Sequence, residues 1–122
     1  MANAIVILCE DSPFGKNSPI ESVRLATGIL SVGDIDNCKV IFMGDAVCFL
    51  NKNLDPLALN MDPLTDILRL IELSKLEIFV LDEALKDAGM DSLDLILYDN
   101  LKVISVNEVS QLILEADLTF KY

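Results

Sequence analysis

The sequence predicts an α/β fold, a three-layer sandwich around a five-stranded, mainly parallel sheet of flavodoxin-like build. Short, continuous apolar runs recur along the chain, the pattern of strands buried on both faces. Each run but the last leads into a turn and a capped or acidic helix start, the signature of strand–helix–strand crossovers. A hydrophobic fraction of 52% and a mean hydropathy of +0.47 are high for 122 residues. So small a chain carries that much apolar surface only if the sheet is covered on both faces or a subunit interface is buried as well.

The first predicted strand is Ala4-Ile5-Val6-Ile7-Leu8, ended by Glu10-Asp11-Ser12-Pro13. Ser18-Pro19-Ile20-Glu21 supplies a capping serine, proline at the first helical position and glutamate at the third, opening a helix to about Leu30. Lys39-Val40-Ile41-Phe42-Met43 is the second strand, and Gly44-Asp45 turns it into a short helix through Leu50. Asn51 to Asn60 reads as the longest loop, after which Asp62-Pro63 opens a helix with Leu64, Ile67, Leu68 and Ile71 at helical spacing. The third strand, Leu76 to Leu81, runs into the acidic helical turn Asp82-Glu83-Ala84-Leu85. The fourth, Leu101 to Ile104, meets the capping box Ser105-Val106-Asn107-Glu108, with Val109, Leu112 and Ile113 as the core stripe of its helix. Asp117 to Lys121 closes as a short last strand, and the whole reads as one domain over residues 1–122.

Several functions are disfavoured by composition. No apolar run approaches the roughly 20 residues of a spanning helix, and the start has no basic region of a secretory signal, so neither a membrane nor an export role is expected. A net charge of -11 repels a phosphate backbone, which argues against direct nucleic-acid binding. Three cysteines without a close pair make no disulfide framework, and with no histidine the common zinc sites are out of reach. Reduced thiols fit the cytoplasm, and no metal or other cofactor is expected. A histidine-dependent triad is impossible, and no carboxylate pair has hydrolase spacing. Asp34 and Asp36 have no calcium-loop pattern behind them and read as solvated.

Four segments in order resemble the DsrE/DsrF-like family, most closely its DsrF and TusC branch. They are the opening strand with its Ser12-Pro13-Phe14-Gly15 loop; Val40-Ile41-Phe42-Met43-Gly44-Asp45-Ala46-Val47; Phe79-Val80-Leu81-Asp82-Glu83-Ala84-Leu85-Lys86-Asp87-Ala88-Gly89-Met90; and the end from Val103 to Phe120. The resemblance implies a cytoplasmic subunit of a trimer or hexamer, alone or with related sulfur-relay chains, that handles persulfide sulfur. In active members the relay cysteine lies near the junction of the third strand and its following turn. That junction here reads Phe79-Val80-Leu81-Asp82, without a cysteine, so the resemblance implies a structural subunit or one whose thiol comes from a partner.

Ligands of parallel α/β sheets bind outside the carboxyl ends of the strands, which directs the search to the turns after Leu8, Met43, Leu81, Ile104 and Phe120. Cys9 and Cys48 are the candidate thiols there, Cys48 about three residues into a helix whose amides would stabilise a thiolate. Burial as small hydrophobes is the commoner fate of free cysteines, and Cys38, at the other end of the sheet, reads that way. Glu10, Asp11, Phe14, Gly44, Asp45, Leu81 and Asp82 are the expected lining of a carboxyl-edge pocket. A different class is also open: Glu10-Asp11, Asp82 and Lys121 are the residue types of a phospho-receiver pocket, and Ser12 to Ser18 could cradle a phosphate or flavin. Asp82 comes late for a receiver, and the loop lacks the glycines of a nucleotide fingerprint. Solvated turn acids and a surface loop are the simpler account.

Overall fold

The computed structural model describes residues 4–11, 18–32, 37–52 and 65–121. Five strands, β1 (Ala4–Cys9), β2 (Asn37–Phe42), β3 (Glu77–Leu81), β4 (Leu101–Ile104) and β5 (Leu118–Lys121), form one sheet in the order β4-β3-β2-β1-β5. Every pairing is parallel, with Ile7 opposite Val40, Val40 opposite Ile78, and Val80 opposite Val103. The helices are α1 (Ser18–Val32), α2 (Thr65–Ser74), α3 (Asp82–Asp87) and α4 (Val106–Glu115), with 3-10 helices at Gly44–Leu50 and Ser92–Asp94. None of these helices is long and apolar enough to cross a membrane, among the described residues.

Strand order and the right-handedness of parallel crossovers decide where the helices lie. From β1 to β4 the sheet grows in one direction, so α1, α2, α3 and the first 3-10 helix share a face. The connection to β5 runs back past β1 and puts α4 on the other. The two apolar clusters show this division. Ile5, Ile7, Val40, Phe42, Ile78 and Val80 pack beneath Val23, Ala26, Ile67, Ile71 and Leu85. Val6, Ile41 and Ile104 pack beneath Val109, with Leu112 and Ile113 alongside. Alternate residues of one strand thus serve two cores, which is why the strands read as unbroken apolar runs. Each fully buried Ile or Val contributes about 1.5–3 kcal/mol over an exposed one.

Most elements fall where the sequence places them, and the differences have physical causes. Met43 is not the last residue of β2 but the first step out of it: its amide donates to Cys9 O at 2.8 Å, tying the ends of β1 and β2 together. The helix after β2 is 3-10 throughout. The turn read as Asp82–Leu85 continues to Asp87 as α3, its end marked by Gly89 at φ +71°. The stretch before β4 is more structured than expected. Asp91 and Asp94 form a capping box, and Lys52 N and Ile96 N donate to Asp94 O and Leu50 O, both at 2.9 Å. The Asp62-Pro63 start, the 53–60 part of the long loop, and Asp34 and Asp36 lie outside the described residues.

Candidate functional site

The loops after β3 and β4 leave the sheet on opposite faces, to α3 and α4. Adjacent strands whose chains diverge in this way leave a crevice at their carboxyl ends, where ligands of open α/β sheets sit. Leu81 and Ile104 are paired across it. Leu81 and Asp82 are half-buried, Asp82 heads α3, and the Ser105 hydroxyl is occupied as a cap, 3.3 Å from Glu108 N. Sequence reasoning placed Leu81 and Asp82 at this edge and read Ser105 only as a cap. Its place beside Leu81 depends on strand order, which no local pattern carries.

Cys9 and Glu10 close β1, two strands away from Leu81, a separation of about 10 Å at the spacing of sheet strands. The Cys9 side chain is fully buried. Burial pushes its thiol pKa up, and the charges of Asp11 and Glu10 push the same way, against hydrogen bonds with Ser22 and the Asp11 backbone. Ser22, itself buried, donates to Pro19 O at 2.8 Å. It was missed in the sequence, although it stands one turn before Ala26 on the buried face of α1. Glu10 pairs with Lys121 of β5 at 3.2 Å.

Gly44 is at φ +52°, and a Cβ built on it would lie 3.2 Å from Glu10 O, so the turn after β2 is pressed against the end of β1. Asp45 follows, exposed. Cys48 is the fifth residue of the 3-10 helix, half-buried, and not in a first turn with free amides as expected. Its thiol pKa is raised by burial and then by Asp45, the reverse of thiolate stabilisation. Cys38, buried at the amino end of β2, is pushed up to about 11 by burial, with Lys39 opposing. All three thiols are therefore protonated at neutral pH. Phe14, with the rest of the Ser12–Asn17 loop, lies outside the described residues.

The structure thus joins Cys9, Glu10 and Gly44 at one end of the edge, and sets Leu81 and Asp82 at another. The carboxylates of a receiver-like pocket are not gathered: Glu10 and Asp82 are separated by the width of β2, and Glu10 is engaged by Lys121. No three acidic or thiol groups among the described residues come close enough to hold a metal ion.

Comparison with known proteins decides the family. The profile of the DsrE/DsrF-like family matches residues 3–122. The chain belongs to that family. The ychN protein from E. coli has a similar crystal structure, with a TM-score of 0.80 at 22% identity, covering 98% of this chain and 99% of that one. MTH1491 from Methanobacterium thermoautotrophicum, described as a protein of unknown function, matches over 100% of both chains with a TM-score of 0.63 at 13% identity. At these identities the two structures show a DsrE-like fold and carry no assignment of activity. No curated protein matches the chain.

Proposed function

We propose that residues 1–122 form one DsrE/DsrF-like domain that acts as a cytoplasmic subunit of a sulfur-relay assembly. In this reading it is a TusC-like member that completes a trimer or hexamer rather than carrying sulfur itself. What supports the proposal is the divergence of the chain to opposite faces after β3 and β4, where the resemblance puts the relay cysteine and this sequence has Leu81-Asp82. Cys9 is the poorer stand-in: it is two strands away and fully buried, and that burial raises its thiol pKa. A nucleophile for persulfide transfer must be a thiolate within reach of its donor.

One observation favours a second reading, in which Cys48 is a carrier: it is the one cysteine of the three that is not fully buried. Intact-mass spectrometry after incubation with a cysteine desulfurase and free cysteine separates the two. The scaffold reading expects no mass gain. A gain of one sulfur atom that survives Cys9→Ser and vanishes in Cys48→Ser would replace it with the carrier reading.

A further inference from the structure

We propose that the groove between α1 and α2 receives the exposed leucines of residues 91–100 from a second copy of this chain, in a head-to-tail contact. The inference rests on the self-assembly proposed above and names the surfaces that make it.

The groove holds about 630 Å³ and is lined by Arg24, Thr27, Gly28, Leu30, Leu70 and Leu73 among others. On α2, Ile67 and Ile71 face the sheet, so Leu70 and Leu73 come out on a neighbouring stripe, 43% and 75% exposed. Gly28 keeps the floor open: a Cβ there would meet nothing within 4 Å, so no internal packing demands a glycine in mid-helix.

The complementary surface is at the β4 edge. Leu93 is 77% exposed and Leu97 is 99% exposed, in a stretch that also carries Asp91, Asp94 and Asp99. The stretch is already ordered. Leu93 N donates to Asp91 Oδ1 at 2.9 Å, Ile96 N donates to Leu50 O, and the Tyr98 hydroxyl lies 2.6 Å from Leu76 O. Docking such a stretch costs little conformational entropy.

Charge selects the occupant. A chain of net charge -11 repels its own copies, so a contact between copies must set a cation against acids. Arg24 supplies that cation on the groove and makes no ion pair among the described residues, while the leucine stretch supplies three aspartates. One surface is on a broad face of the molecule and the other borders an edge strand. Repeated head to tail, from groove to leucine stretch, the contact is heterologous, and a ring forms if the rotation closes.

Native mass spectrometry of four samples tests this: wild type, Leu73→Glu, Leu97→Glu, and an equal mixture of the two variants. The expected result is an assembled wild type, two monomeric variants with unchanged melting temperature, and a mixture containing dimers and nothing larger. Each variant retains one intact surface, so the mixture joins the groove of Leu97→Glu to the leucines of Leu73→Glu; a wild type larger than a dimer marks the contact as head-to-tail, and a wild type that stops at the dimer overturns it. Gly28→Leu, whose Cβ meets nothing within 4 Å and whose side chain would occupy the groove, is expected to be monomeric and no less stable than wild type. If either glutamate variant assembles as wild type does, or the mixture stays monomeric, these surfaces are wrong while the assembly reading stands. A monomeric wild type overturns both.

Discussion

Two residues show how local chemistry at the sheet's ends becomes measurable stability. Cys38 is folded with a thiol pKa of about 11 against an ordinary 9.0. Because the folded chain holds this proton more tightly, the contribution is fully present below pH 9 and is lost as pH rises to 11. Its size is on the order of 2 kcal/mol. Urea melts between pH 8 and 11 should show stability falling through that window, and a shallower fall in Cys38→Ala. At the opposite edge, Gly44→Ala combines a left-handed backbone with a Cβ 3.2 Å from Glu10 O. It is expected to cost about 1–2 kcal/mol from the backbone conformation alone, seen as a lower urea midpoint with an unchanged slope. An unaltered midpoint would mean that the turn relaxes freely and is not braced against β1.

At the scale of elements, α4 depends on its first turn. Ser105 and Glu108 cap each other's amides, and α4 is the one described helix on its face of the sheet. Ser105→Ala is expected to cost about 1 kcal/mol, with faster amide exchange in α4 and at Ile104 than in α1. Equal loosening of both faces would show that the two cores do not open separately. This box was legible because capping is written in four consecutive residues. β4 was legible for a similar reason, being a short apolar run between turn residues. The 3-10 character of Gly44–Leu50 was not, because hydrophobic spacing alone does not separate three residues per turn from 3.6 over seven residues. The pairing of residues 94–96 with 50–52 was hidden too, since the two segments are far apart in sequence.

For the whole molecule, alternating strands and helix starts were enough to give the parallel sheet, and with it the carboxyl edge as the place to look. They did not give the position of β5. That position fixes which loops diverge, and so directs attention to the paired ends of β3 and β4 at Leu81 and Ile104 as well as to Cys9. The apolar excess also has a visible destination. The strands and the helices packed on them share the buried part, and much of the remainder stands out on Leu73, Leu93, Leu97, Leu114, Leu118 and Phe120. A sequence reports how much apolar surface there is, but which leucines stay outside depends on the packing of distant elements.

The neighbour relation of β1 and β5 also governs how the protein is made. Asp117 N donates to Ala4 O, and the Asp117 carboxylate accepts from Ala4 N, each at 2.8 Å, across 113 positions of sequence. A ribosome delivers β1 first and β5 last. Throughout synthesis, the outer edge of β1 is an open row of amides and carbonyls, in one of the most apolar segments of the chain. Nothing local can shorten that wait. Nascent chains of this fold therefore carry an unpaired, apolar strand edge until β5 emerges, a template on which other chains can pair.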